Sequence, residues 1–421
     1  MKKTFLYLFV FILIFLTGCN TDTLPDMYIE ESDYQYKQWY RAASFLQVQQ
    51  GDDIAYFYHN GFIYYLEDGR DVIMPLCNKV DCLHDQETDA EKRAECNAYV
   101  DSYEDGGHVS QSNTGIAKCN DYIYCLNSAV SLDAPQTLSR YSLDGTTKEV
   151  VYTWNSEESA ILEWIVHRDV LYYVEKKYYL KDNEVITENS LKSLALTGFN
   201  RQPETIYLAD EKLSVLTLGN LQAYGNHMYF MIISKYDEED ENVNLYQKTF
   251  VYDIQKRMLN ELEIPGLPDS ASIKGVKFWQ NKIIIDPYDS EKPDDAPTTV
   301  YIAELDGSNP QVLLEDIPQV GYFLSDGEYL YFFDDWMPDI DDWLSNPGLY
   351  TVYDKDLNIV DAIRAPLMPD GSVKRLPVGE ADKMYFIYQD ETNGTWGVVR
   401  WGKADIGSYQ GEAFSLTEIR K

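Results

Sequence analysis

Four side chains that can bind a metal ion lie close together in the sequence: Cys77, Cys82, His84 and Cys96. Their spacing is C-x4-C-x-H-x11-C. Three thiolates and one imidazole can surround a tetrahedral zinc ion, and four protein ligands would leave no open position, so such a zinc site would be structural. Two of these cysteines could instead form a disulfide in an exported protein, or all could remain free thiols. The spacing alone leaves the three alternatives open.

A second candidate site is an acidic loop in which two tryptophans are interspersed with five aspartates. Aromatic faces and carboxylates together suit sugar rings, cationic ligands or a calcium ion. The loop lacks the glycine and the terminal glutamate of an EF-hand. An acidic loop whose tryptophans pack on the adjacent sheet would show the same pattern. The candidate ligand-binding residues are Asp334, Asp335, Trp336, Asp339, Asp341, Asp342 and Trp343.

Other residue types that often carry chemistry indicate structural roles here. The sequence contains no Gly-rich phosphate loop, G-x-S-x-G or H-E-x-x-H motif. His59, His167 and His227 each lie next to a different predicted hairpin turn, so we expect the fold to separate them and they do not predict a catalytic set. Cys125 occupies a position held by aromatic residues elsewhere in the chain, which indicates a buried thiol. We do not expect it to bond to Cys119.

The N-terminus combines a basic start, an apolar stretch from Phe5 to Phe15 and the box Leu16-Thr17-Gly18-Cys19. This arrangement resembles a bacterial lipoprotein signal. The resemblance implies that residues 1–18 are removed and that Cys19 carries acyl chains such as palmitate, which hold the protein durably in a membrane. An ordinary signal peptide and an N-terminal membrane helix are the alternatives. Residues 19–43 show little periodicity and are predicted to be a flexible tether.

A sequence repeat predicts the strands and turns that position these residues. A polar turn followed by a Tyr-rich strand occurs seven times, at steps of 46 to 60 residues. The repeats begin at Asn60, Asn120, Arg168, Gly225, Gln280, Asp326 and Ala381. Such a step suits one four-stranded propeller blade, which takes about 40 to 50 residues. The sequence therefore predicts an all-β fold over residues 44–421, a β-propeller with seven blades of four antiparallel strands.

Two details of this prediction concern single segments. We expect residues 44–50 to add an outer strand to the last blade and so close the ring, with residues 414–419 as the competing candidate. We expect the segment from Cys77 to Cys96 to lie between the third and fourth strands of the first blade.

The repeat pattern over residues 44–419 resembles bacterial propellers related to the low-density-lipoprotein-receptor type. That family is largely of unknown function. The receptor's Tyr-Trp-Thr-Asp tetrapeptide is absent from this sequence, so the resemblance implies a fold and no ligand.

The chain is strongly acidic, with 70 Asp and Glu against 35 Lys and Arg and a formal net charge of −35. Such a surface repels nucleic acid and anionic lipid headgroups. The N-terminal signal predicts an extracytoplasmic lipoprotein of the bacterial cell envelope. We expect a non-enzymatic propeller that binds a glycan, a peptide or another envelope protein. The alternative is an envelope hydrolase or lyase acting on a glycan, peptide or lactone at the propeller centre. The mainly apolar inner strands disfavour that alternative.

Overall fold

The computed structural model describes most of the chain from Pro25 onward. The described residues are 25–36, 48–50, 53–59, 61–70, 72–100, 115–127, 135–154, 159–181, 184–198, 201–210, 214–235, 245–267, 271–289, 291–293, 296–318, 322–333, 349–364, 378–380, 383–390, 395–405 and 408–415.

These residues form a β-propeller of seven antiparallel sheets, each built from four strands in chain order. The first two sheets contain β1 (Val48–Gln50), β2 (Ile54–His59), β3 (Phe62–Glu67), β4 (Met74–Pro75), β5 (Ile116–Cys119), β6 (Tyr122–Asn127), β7 (Gln136–Ser142) and β8 (Lys148–Trp154). The third and fourth contain β9 (Ser159–His167), β10 (Val170–Lys181), β11 (Glu184–Ala195), β12 (Glu204–Leu208), β13 (Ser214–Tyr224), β14 (His227–Lys235), β15 (Leu245–Asp253) and β16 (Met258–Glu261). The fifth and sixth contain β17 (Ala271–Trp279), β18 (Lys282–Asp289), β19 (Pro297–Ala303), β20 (Gln311–Pro318), β21 (Tyr322–Ser325), β22 (Leu330–Phe333), β23 (Leu349–Tyr353) and β24 (Ile359–Arg364). The last contains β25 (Val378–Glu380), β26 (Lys383–Asp390), β27 (Thr395–Asp405) and β28 (Ser408–Ser415).

The polar turns of the repeat form tight hairpins because their residues accept left-handed backbone conformations. Arg168 and Asp169 have φ values of 53° and 57°, and Gln280 and Asn281 have φ values of 52° and 59°. Positive φ at both central residues is the requirement of a type I′ turn, whose twist matches that of the flanking strands. The repeat therefore encodes the hairpin that starts each regular blade.

The sheets bury their faces against their neighbours. The contact between the second and third sheets contains the fully buried rings of Tyr124, Trp164 and Tyr173, and Phe278 and Tyr229 meet between the fourth and fifth sheets. Each large aromatic side chain removes about 150–250 Å² from water, so these contacts dominate the core. β1 lies beside both β5 and β25, so the first and last sheets meet and the ring closes.

The first sheet differs from the other six, and the prediction of seven blades of four antiparallel strands needs correction. In six sheets the repeated turn joins the first and second strands, whereas the turn at Gly61 joins β2 and β3. Relative to the repeat, the first sheet has an additional inner strand and an outer strand, β4, of only two residues. The propeller therefore has six regular blades and one irregular sheet.

The prediction that residues 44–50 close the ring by joining the last blade is also wrong. β1 pairs with β2, with Val48 opposite Phe57, and so belongs to the first sheet. The outer strand of the last sheet is β28, which includes Phe414 of the competing candidate and pairs with β27. Each sheet is therefore made from one continuous part of the chain.

Residues 25–36, which we call the N-terminal strap, cross the turns of three blades. Backbone N–H groups of Asn120 and Arg168 donate to the carbonyls of Glu31 and Ser32 at 2.6 and 2.7 Å. The N–H of Asn226 donates to Asp26 Oδ1 at 2.9 Å. Residues 25–36 of the segment predicted to be a tether therefore pack against the propeller. Cys19 lies outside the described residues.

A buried ion pair and a buried histidine hold the strap. Arg168 Nε donates to Asp33 Oδ1 at 2.7 Å, and the two side chains are 5% and 0% exposed. The N–H of Tyr34 donates to His167 Nδ1 at 2.9 Å, and His167 Nε2 lies 2.8 Å from the carbonyl oxygen of Gly225. His167 is therefore a neutral imidazole that donates through Nε2. Burial lowers the pKa of His167 to about 4, more than the nearby Asp33 carboxylate raises it.

No helix among the described residues is long and apolar enough to cross a membrane.

We predict that replacing Arg168 with Gln destabilises the protein by about 3–5 kcal/mol, because the Asp33 carboxylate would stay buried without its cation. The matched control is Arg70→Gln, since Arg70 pairs with Glu67 at the surface, with side chains 72% and 43% exposed. Exposed pairs contribute about 0–1 kcal/mol. Urea unfolding of both variants measures the difference. Equal losses would show that the strap does not depend on the buried pair.

Candidate functional site

The four predicted ligands lie in a loop that interrupts the outer strand of the first sheet. The outer edge of β3 pairs first with β4, where Tyr64 lies opposite Pro75. Further along the same edge, Phe62 pairs with Tyr99, and the N–H of Val100 donates to the carbonyl of Gly61 at 2.7 Å. The chain thus leaves the edge after Leu76 and returns to it at Ala98. We call residues 77–97 the cysteine loop. It is an excursion from the outermost strand, not the predicted connection between a third and a fourth strand.

The ligand atoms meet at the base of this loop. One atom each from Cys77, Cys82, His84 and Cys96 lies within 4.8 Å of all the others, and Cys96 Sγ lies 3.5 Å from His84 Nδ1. Zn–S and Zn–N bonds of about 2.3 and 2.1 Å in a tetrahedron place sulfur and nitrogen about 3.6 Å apart. Since Cys77 and Cys96 are the two ends of the loop, a metal bound here would close it.

The surroundings of two of the thiols shift their pKa values in opposite directions. Burial alone would raise the pKa of Cys77, but the backbone N–H groups of Lys79 and Asn97 and the thiols of Cys96 and Cys82 bring it below its usual value. Burial raises the pKa of Cys96 to about 12, although the N–H of Ala98 donates to its sulfur and opposes that rise. A buried thiolate at Cys96 needs a cation beside it, and a bound metal ion would supply one.

The imidazole of His84 is suited to be the fourth ligand. Burial lowers its pKa, so the ring is neutral at physiological pH, the form that binds metals. The backbone of His84 has a φ of 54°, a strained value for a residue other than glycine. The next residue, Asp85, accepts a hydrogen bond from the Tyr64 hydroxyl at 2.7 Å, which ties this turn to β3.

A short helix brings Cys96 back to the cluster. Helix α1 (Ala90–Ala94) starts at Asp89, whose carboxylate accepts hydrogen bonds from the N–H groups of Glu91 and Lys92. Such a cap satisfies donors that the first helical turn leaves free. The N–H of Cys96 then donates to the carbonyl of Arg93 at 3.0 Å.

The cysteine loop docks on the turn between β7 and β8 of the second sheet. The Asn97 amide donates to the carbonyls of Gly145 and Thr146, both at 2.8 Å. A Cβ on Gly145 would lie 2.9 Å from the backbone nitrogen of Cys77. Only glycine allows this approach, so the turn of one blade positions the ligands of another.

None of the five described cysteines forms a disulfide. Cys125 is fully buried and lies opposite Ile116 in the sheet, as expected for a core thiol. Cys119 is also buried, and its thiol donates to the carbonyl of Ser32 in the strap at 3.4 Å. The two do not pair.

The acidic loop with two tryptophans, from Asp334 to Trp343, lies outside the described residues. Phe333 ends β22 and Leu349 begins β23, at the ends of these strands away from the Asp326-Gly327 hairpin. The three histidines are in different sheets, as expected: His59 in the first, His167 in the third and His227 in the fourth.

Polar residues on the inner strands were missed by the sequence analysis. The Glu163 carboxylate accepts hydrogen bonds from the N–H groups of Asn220 and Leu221 at 2.8 and 2.7 Å and so joins β9 to β13. Lys274 Nζ lies 3.0 Å from Asp286 Oδ2 beside a cavity of about 310 Å³. Burial raises the pKa of Asp286 to about 6, although Lys274 opposes the rise. The Glu163 hydrogen bonds thus connect two neighbouring blades, and the Lys274–Asp286 pair connects two strands of one blade.

Comparisons with known proteins support the fold. No protein-family profile matches the chain, and no curated protein does. A solved structure from a mechanistic study of two prolyl endopeptidases superposes with a TM-score of 0.54 at 10% identity, covering 90% of this chain and 51% of that chain. The chain thus spans about half the length of that protein.

Two further solved structures have lower scores. An oligogalacturonate lyase in complex with manganese has a TM-score of 0.46 at 12% identity, with 93% of this chain and 91% of that chain covered. The β-propeller domain of the Trilobed protease from Pyrococcus furiosus has a TM-score of 0.40 at 12% identity, with 70% and 81% covered. At such identities the likeness concerns the fold alone.

We predict that Gly145→Ala destabilises the cysteine loop more than Gly69→Ala does. The two glycines have φ values of 69° and 72°, so alanine meets the same backbone strain, about 1–2 kcal/mol, at both positions. A Cβ at Gly69 would have nothing within 4 Å, whereas at Gly145 it would meet the backbone of Cys77. Thermal unfolding of the two variants isolates this contact. Equal shifts in melting temperature would show that the loop is not docked at Gly145.

Proposed function

We propose that this protein is a lipid-anchored, extracytoplasmic propeller of the bacterial cell envelope that binds a ligand or partner without catalysing a reaction. The observation that carries the proposal is the packed strap. Its buried Asp33–Arg168 pair makes the N-terminal chain and the propeller one body. A chain anchored at Cys19 and fixed to the propeller over residues 25–36 would hold the propeller close to a membrane.

The distance follows from chain length. Pro25 is six residues after Cys19, and six residues span at most about 20 Å. The strap crosses the hairpin turns at Asn120, Arg168 and Asn226, so this face of the propeller would lie nearest to the membrane.

The opposite face would then present the binding loops. In a regular blade, the loop between the second and third strands starts from the edge opposite the hairpin turn. Two acidic segments occupy such positions: residues 236–244 connect β14 to β15, and residues 334–348 connect β22 to β23. We propose that the second of these, with Trp336 and Trp343, binds a glycan, a cationic peptide or an envelope protein.

We propose further that the cluster of Cys77, Cys82, His84 and Cys96 holds a structural zinc ion. A set of three sulfurs and one nitrogen within 4.8 Å of one another suits zinc, and four protein ligands leave no position for a substrate. Zinc would neutralise the buried thiolates and close the cysteine loop at its base. The metal would thereby stabilise the interrupted edge of the first sheet.

For the zinc proposal, we predict one zinc ion per purified protein and a lower melting temperature after chelation. Cys82→Ser should lose the metal, whereas Cys119→Ser, which removes a buried thiol outside the cluster, should keep it. Native mass spectrometry and a chelator titration followed by thermal unfolding measure both effects. A mass two hydrogens short, without metal, would show a disulfide instead. Fully reduced thiols without metal, and no effect of chelator, would also refute the zinc site.

For the binding function, we predict that wild-type protein fractionates with membranes and that Cys19→Ala is released or left unprocessed. Soluble protein starting after Cys19 should bind a ligand from a panel of glycans and peptides, and the double variant Trp336→Ala and Trp343→Ala should bind it more weakly while unfolding normally. The same panel includes model glycosidase, peptidase and lactonase substrates. Saturable turnover that persists through repeated purification would establish the enzyme alternative, and an acylated, membrane-bound Cys19→Ala protein would refute the anchor.

A further inference from the structure

A cleft between the fourth and fifth sheets lies on the same face as the strap. Its volume is about 630 Å³, within the range of about 300–1,000 Å³ typical of small-molecule sites. The turn after β15 forms one wall, the turn after β19 forms the other, and Asp26 of the strap completes the lining. The strap therefore contributes directly to this cleft.

Among the described residues, two carboxylates in the cleft form no ion pair with a lysine or arginine. Asp253 pairs with Lys256 at 2.7 Å, and Glu304 pairs with Lys282 at 3.2 Å. In the part of the chain that the structure describes, Asp26 and Asp306 form no ion pair with lysine or arginine. Backbone N–H groups fix both: Asp26 Oδ1 accepts from Asn226, and Asp306 Oδ1 accepts from Ser308, each at 2.9 Å. The cleft thus holds two oriented negative charges.

A buried histidine that lines the same cleft has a ring nitrogen without a hydrogen bond. His227 is only 9% exposed, and its Nδ1 forms no hydrogen bond, although Asp26 Oδ1 lies 3.3 Å away. A buried polar atom without a hydrogen bond costs about 1–3 kcal/mol. Such an atom on the wall of a cavity indicates that a ligand or water completes the arrangement.

The negative field reaches the rim of the cleft. The pKa of Lys256 is raised by its hydrogen bond to Asp253, then by the charge of Asp253, and also by the charges of Asp26 and Asp306. A cation at this position is therefore favoured by carboxylates on both walls and on the strap.

We propose that this cleft binds a primary ammonium or guanidinium group between Asp26 and Asp306, beside His227 Nδ1. The proposal rests on the binding function above and names a ligand chemistry for a site separate from the tryptophan loop. The cationic group could belong to a free diamine or to a lysine or arginine side chain of a peptide. Because Asp26 is part of the strap, the bound cation would also tie the strap to the fifth sheet.

The test is calorimetric titration of the soluble protein with cadaverine and, separately, with a short lysine-containing peptide at about 0.15 M salt, where weak surface attraction is screened. Asp26→Asn and Asp306→Asn keep an oxygen that can accept the same backbone hydrogen bonds while removing the charge. The matched control is Asp354→Asn. Asp354 caps its turn in the same way, accepting from the N–H of Asp356 at 2.9 Å, but is not among the residues that line this cleft.

We expect each cleft variant to weaken binding at least about tenfold, the order of one charge-assisted hydrogen bond, and Asp354→Asn to leave it unchanged. Tighter binding of the peptide than of cadaverine would identify a peptide side chain as the ligand, and the reverse would identify a free diamine. No binding by wild-type protein, or equal weakening in the control, would overturn the cleft proposal. Binding that depends on Trp336 and Trp343 would then still support the broader function.

Discussion

The outer edge of the first sheet imposes the constraint on which the site depends. A propeller sheet stays folded because neighbouring blades cover its faces, and its exposed edges need pairing or cover. In this protein, the edge of β3 is paired in two pieces, by Met74–Pro75 and by Tyr99, with the cysteine loop between them. The loop has only a 3-10 turn (His84–Gln86) and the short helix α1, so its position depends on Gly145, on Asn97 and on the cluster at its base.

The strap connects the N-terminal part of the chain, which carries the proposed anchor, to the propeller. Tyr34 is buried among residues of the third and fourth sheets, and Tyr28 and Tyr36 contact the rings of Tyr224 and Phe278. These contacts, together with the Asp33–Arg168 pair, replace a free tether by a fixed one. The same segment places Asp26 in the cleft beside His227, so the proposed anchoring and the proposed ligand binding involve one element.

The sequence predicted the regular part of this architecture because its signals are local. A turn such as Arg168-Asp169 and the Tyr-rich strand after it determine a hairpin within a few residues, and six blades repeat that unit. The irregular first sheet depends on the three-residue strand β1 and on pairing between Phe62 and Tyr99, which are far apart in the chain. No periodic signal marks such pairings, so the blade count and ring closure could not be read correctly.

The site was predictable in residue type but not in placement. The spacing of Cys77, Cys82, His84 and Cys96 predicted one ligand group, and the structure brings all four together. The docking on Gly145 was hidden because it lies in the turn of another blade. The spacing of Tyr28, Tyr34 and Tyr36 is the one signal that could have revealed the strap, since a solvated tether has no need of repeated large aromatic residues. The cleft residues come from two turns and the strap, and only the fold brings them together.

X-ray absorption at the zinc edge on the purified protein tests the central claim most directly, because it reports which atoms surround the metal. A metal shell of three sulfurs at about 2.3 Å and one nitrogen at about 2.1 Å is the predicted result. A shell of oxygen and nitrogen alone, or protein that carries no zinc when purified without chelator, would contradict the account of how the first sheet is closed.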